Sequence, residues 1–179
     1  MRRIAYACLL LCAWVLVAPA PARAQGTTVA KEMVGVLQRA VTEILDVAEA
    51  MPEAKYDFKP APDVATFRDQ LVHLSEIAQR WSDAADGSKS AAHDHGKSLS
   101  KAEVIALVKD RFQAAEAKIA PLSDAQLLEQ VKFPIGDRMV SRFVFWTAPL
   151  LQVRNHYGQL VVYLRMNGIV PPNTARRPR

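Results

Sequence analysis

Between Ala30 and Met51 the apolar residues Met33, Val34, Val36, Leu37, Val41, Ile44, Leu45 and Val47 recur at mixed spacings of three and four, with glutamates and lysine on the other side. That period lays a single apolar stripe along an α-helix, so this stretch reads as an amphipathic first helix. Pro52, Pro60 and Pro62 cannot continue it, and "MPEAKYDFKPAPDV" reads as an ordered connection of moderate length. Thr66, followed three residues on by Asp69, is a variant capping box that opens a second helix. Its stripe is Phe67, Leu71, Leu74, Ile77, Ala78 and Trp81, and it ends near Asp86-Gly87.

The polar loop "DGSKSAAHDHGKSLS" leads to a second capping box, Ser100 with Glu103, and to a third helix from about Lys101 to Ile119. There Val104, Val108, Phe112, Ala115 and Ile119 face inward. A short helical turn fits "LSDAQL", and "VKFPIGDRMV", with Pro134 and an Ile-Gly-Asp turn, reads as a loop that is briefly extended. A last long helix is expected from Ser141 or Arg142 to Asn167, with Pro149 either kinking it or marking its first turn. Gly168 stands where a left-handed cap is needed, and Pro171-Pro172 ends the helix. Four long helices imply an all-α protein, a four-helix bundle whose sites are built from inward side chains on facing helices.

The first 24 residues change how the composition is read. Arg2 and Arg3, an apolar run from Ile4 to Val17 and Ala22-Arg23-Ala24 follow the order of a secretory signal peptide, with cleavage expected before Gln25. The expected location is therefore periplasmic or secreted, and the apolar run is too short for a permanent membrane span. Cys8 and Cys12 leave with that segment, so any metal must be held by nitrogen and oxygen. The 179 − 24 = 155 remaining residues suit one domain, placed at 25–172, followed by a basic, disordered tail at 173–179. Without Arg2, Arg3 and Arg23, 23 − 3 = 20 basic side chains face 18 acidic ones. No basic stripe with interleaved aromatics remains, which argues against nucleic-acid binding.

Candidate chemistry centres on "RNHYGQLVVYLRMNG", Arg154 to Gly168. At about 100° per residue, His156 shares the inward side of its helix with Val153, Leu160 and Tyr163, and Gln152 lies one turn before it. A histidine pair at this i, i+4 spacing would clamp a metal from one face; glutamine offers a neutral and weaker oxygen. His73 falls at the border of the second helix's stripe, with Asp69 one turn earlier either orienting the ring or capping the helix. Each histidine also reads as an ordinary polar residue of a bundle, with His156 hydrogen-bonded to Gln152 or Tyr163 inside the core. His93-Asp94-His95 reads as a solvated loop, Ser75 and Ser82 have no activating partner by spacing, and Trp81, Phe143, Phe145, Trp146 and Tyr163 read as core aromatics.

Three pieces, "FKPAP" from Phe58 to Pro62, "QLVHLSEIAQRW" around His73, and "NHYGQLVVYLRMNGIVPP" around His156, together resemble the DinB-like (DinB/YfiT) superfamily over most of the chain beyond residue 24. The resemblance implies an up-down-down-up bundle with a divalent-metal site of three histidines, one on the second helix and two at H-x-x-x-H on the last. By position these ligands fall on His73, Gln152 and His156, so one of the three imidazoles is replaced by an amide. The function it implies is that of a hydrolase or thiol-dependent transferase using Zn²⁺, Ni²⁺ or Mn²⁺ on a small-molecule substrate. A non-catalytic ligand-binding module and a homodimer through an exposed helix face are the competing expectations.

Overall fold

The computed structural model describes residues 28–90 and 99–177. The expected signal peptide and the His93-Asp94-His95 motif lie outside the described residues. The main elements are α1 (Val29–Ala50), α2 (Phe67–Ala85), α3 (Lys101–Ile119), α4 (Asp124–Leu128), β1 (Gln130–Lys132), β2 (Met139–Ser141), α5 (Arg142–Met166) and α6 (Pro172–Ala175), with a 3₁₀ turn at Glu53–Lys55.

The helix starts are written in the local sequence. Thr66 accepts from the Asp69 backbone N–H while the Asp69 carboxylate receives the Thr66 N–H, and Ser100 with Glu103 does the same for α3. Each reciprocal pair satisfies two of the donors that a helix leaves unpaired in its first turn. Ser123 and Gln126 build a third capping box at α4. At the other ends, Gly87 and Gly168 take φ of 71° and 74°, the left-handed region that a side chain disfavours.

Helix α1 packs on α3 and α5, and α2 packs on the same two, so α1 and α2 lie diagonally across a four-helix bundle. That placement explains the long connection between them, which crosses one end of the bundle instead of turning back tightly. The crossing is well packed. Tyr56 is fully buried, its hydroxyl donates to the Ala48 carbonyl at 2.8 Å, and its ring meets Phe67 edge-on at 5.2 Å. Burial beside Glu49 pushes its phenol pKa up, which keeps that donor in place.

The bundle interior is continuous through all four long helices, with Ile44, Leu71, Leu74, Phe112, Leu160 and Leu164 each at most 1% exposed. Each such side chain contributes roughly 1.5–3 kcal/mol relative to exposure. Beyond α4, the segment expected to be briefly extended forms a short antiparallel hairpin in which Val131 pairs with Val140. Phe133 from that hairpin lies edge-on to Trp81, whose indole N–H donates to the Phe145 carbonyl at 2.8 Å. Pro149 lies inside α5, which runs through it from Arg142. The first residues of the segment expected as a tail, 173–175, belong to the short helix Pro172–Ala175, and Arg176 pairs with Asp46 at 2.7 Å.

Candidate functional site

His73 and His156 stand 156 − 73 = 83 positions apart in the chain, and the packing of α2 on α5 brings them together. Their ring centroids are 5.2 Å apart, with the planes at 63°. His156 is buried at 7% exposure, and His73 is partly exposed at the border of the apolar stripe. One ring of the pair therefore faces the core and the other the edge of the bundle.

A chain of hydrogen bonds fixes the His156 ring. The Tyr163 hydroxyl donates to the Ala65 carbonyl at 2.6 Å, which leaves its oxygen as acceptor for the Gln70 amide nitrogen at 3.5 Å. With its nitrogen turned to Tyr163, Gln70 presents its oxygen to Nδ1 of His156 at 2.7 Å. An amide oxygen only accepts, so Nδ1 of His156 carries the proton and Nε2 keeps its lone pair. The protonation states agree with this arrangement. Burial, and then the neighbouring His73, lowers the His156 pKa from 6.5 to about 4, so the ring is neutral at pH 7. Burial raises that of Tyr163, which stays a donor.

The third residue of the expected set is placed differently. Gln152 sits on α5 one turn before His156 and is exposed, and the partner of His156 is Gln70 and neither Gln152 nor Tyr163. Among the described residues, no group of three or more histidine, cysteine, aspartate or glutamate side chains converges with metal-ligand spacing. What converges is the imidazole pair.

Two residues beside the pair were missed in the sequence. Gln70 lies three positions before His73 and Glu76 three positions after, flanking it by about 60° to either side around α2, and they are 9% and 5% exposed. A glutamate so deeply buried is uncommon outside a partnered or functional setting. The signal was present in "QLVHLSE", where a polar residue stands one turn to each side of the histidine. On the far side of α2, Arg111 of α3 reaches the Ser75 hydroxyl at 3.1 Å.

A helical bundle whose second and last long helices meet through a pair of imidazoles, one of them buried and hydrogen-bonded, is the class of protein that this geometry defines. The chain belongs to the DinB superfamily, whose family model matches residues 37–149. That span contains His73 and stops short of Gln152 and His156. Among solved structures, a DinB-like protein from Bacillus cereus superposes with a TM-score of 0.70 at 14% identity, covering 81% of this chain and 96% of its own. A DinB-like protein from Bacillus subtilis gives 0.61 at 16% identity over 76% and 92%, and a conserved protein from Enterococcus faecalis 0.59 at 16% over 79% and 98%. No curated protein sequence matches the chain. At these identities the likeness shows the fold, and the DinB-like bundle expected from the sequence is the architecture found.

Proposed function

We propose that the protein is an exported DinB-like enzyme in which His73 and His156 hold a divalent cation for hydrolysis or thiol transfer on a small molecule. The observation that carries this reading is the ring separation. Two imidazoles sharing a tetrahedral ion at bond lengths of about 2.1 Å have centroids about 5 Å apart, and the pair stands at 5.2 Å. The donor set fits as well. His156 is neutral, its Nδ1–H is tied to Gln70, and its Nε2 is the nitrogen left to coordinate; a ligand imidazole held through its other nitrogen is the usual arrangement in metal sites.

Gln152 supplies a third, amide-oxygen ligand on this reading, reaching in from the exposed turn before His156. Neutral nitrogen and oxygen donors suit Zn²⁺, Ni²⁺ or Mn²⁺, with weaker retention than three imidazoles would give. A cation so placed supplies Lewis acidity that lowers the pKa of a bound water or thiol. The chain's own contribution is to fix both rings, to keep one side of the site dry through the α2–α5 core, and to leave the His73 edge open to substrate. Export rests on the order of basic, apolar and small residues in 1–24 and predicts a mature N-terminus at Gln25.

The test is metal loading. Protein stripped with a chelator and dialysed against Zn²⁺, Ni²⁺ or Mn²⁺ at neutral pH should retain about one ion per chain, and no stoichiometric retention of any of them rejects the reading. A non-catalytic ligand-binding module is the second reading, favoured by the exposure of Gln152 and by the closed relay from His156 to Ala65. It predicts that His156→Ala leaves both fold and ligand affinity intact.

A further inference from the structure

Arg80 follows His73 by seven residues on α2. At about 100° and 1.5 Å per residue it stands about 20° from His73 around the helix and about 10.5 Å further along it, and Ala84 returns to the same line. The flank of α2 that presents His73 at the edge of the bundle therefore runs on to Arg80, and both residues are partly exposed. Beyond the end of the helix the chain turns back. Gly87, at φ 71°, lets the Ser88 N–H and hydroxyl both reach the Asp83 carbonyl at 2.9 Å, which sets Lys89 beside the helix end. Arg80, Ala84, Ser88, Lys89 and Ser90, with Pro134 from the turn between β1 and β2, line a cavity of about 350 Å³. That is enough for part or all of a small molecule.

Charge selects what the cavity takes. Among the described residues no carboxylate lines it, and the acidic groups nearby are engaged elsewhere. Asp83 accepts from the Gln79 amide at 2.6 Å, Asp86 pairs with Lys118 at 2.6 Å, and Asp137 pairs with Lys132 at 3.2 Å. Glu76, one turn before Arg80, is 5% exposed and is not part of the lining. Among the described residues Arg80 and Lys89 are left without a carboxylate partner, and a guanidinium and an ammonium sharing one cavity favour an anion. The cavity of about 140 Å³ beside Phe145 and Trp146 gives the contrast: its two cations, Arg142 and Lys132, are already paired with Glu129 and Asp137.

We infer that the cavity at the end of α2 holds the acid group of the small molecule on which His73 and His156 act, with Arg80 and Lys89 binding it roughly 10 Å from the reacting atom. The inference rests on the imidazole pair being the reacting centre. The acid group is a carboxylate and not a phosphate ester. The cavity stands at the C-terminal end of α2, where the unpaired carbonyls amount to about half a negative charge. Two cations outweigh that for a monoanion, whereas a dianion meets twice the repulsion.

The test uses mercaptooctanoate, whose sulfur and carboxylate stand about 10 Å apart when extended, against mercaptooctanol, the same chain with a neutral end. Each is titrated by NMR into the full protein, both chelator-stripped and zinc-loaded. In both states the acid should bind about 10-fold more tightly than the alcohol, and Arg80→Gln/Lys89→Gln should remove that difference while leaving the affinity for the alcohol unchanged. Should the double variant lose helical circular dichroism, Lys89→Gln alone, at an exposed position outside α2, decides through a several-fold loss confined to the acid. Equal binding of acid and alcohol, no binding of either, or a preference that survives in the variant overturns the inference. Octyl phosphate binding more tightly than octanoate to stripped protein overturns the choice of a carboxylate. Zinc loading should tighten both thiols alike through sulfur; no gain on loading rejects the metal reading, and the comparison of acid with alcohol still decides the cavity.

Discussion

His156 is polar, titratable and buried, and its surroundings decide what it can do. The unfolded chain takes up a proton at this residue near pH 6.5, whereas the folded chain resists until about pH 4. A depressed folded-state pKa for a base means that the stability associated with the neutral ring is complete above pH 6.5 and is lost as pH falls through the window between the two values. Across the window the loss is roughly 3 kcal/mol. Urea unfolding of the native protein between pH 7 and pH 4 should therefore decline more steeply than that of His156→Gln, which has no proton to take up. Parallel declines would mean that the ring is not held neutral by its burial and by His73.

At the scale of the element, one helix presents two faces. The inward side of α5 carries His156 and Tyr163, and Gln152 stands on the exposed flank. Gln152→His places a second imidazole one turn from His156, the spacing at which two rings reach one ion. Zn²⁺ affinity measured by competition with a chromophoric chelator should rise about 10-fold or more; unchanged affinity would show that the exposed flank does not reach the pair.

What the sequence made legible follows the range of the interactions involved. Both predicted capping boxes and the helices they open are present, because a cap is decided within four residues. The inward position of His156 was also legible, since helical periodicity alone fixes it. Its partner was not. Gln70 lies 86 residues away, and the pattern of α5 offered Gln152 and Tyr163 as nearer candidates. Only the packing of α2 on α5 decides between them, and no local pattern encodes it. The burial of Glu76 was hidden for the same reason, since it lies on the side of α2 away from the apolar stripe and only the packing of neighbouring helices covers it.

For the whole molecule, the diagonal placement of α1 and α2 sends the 51–66 connection across one end of the bundle, and there it delivers the Ala65 carbonyl to Tyr163. Through Tyr163 and Gln70, that carbonyl sets the orientation of the buried ring, so the topology of the chain and the chemistry of the pair are linked. The pair itself is tested most directly by X-ray absorption on zinc-loaded protein, which counts imidazoles bound to the ion. Two imidazole nitrogens at about 2.0–2.1 Å in the wild type, falling to one in His73→Ala and in His156→Ala, is the predicted result; zinc bound with the same imidazole count in all three proteins would contradict a site shared by α2 and α5.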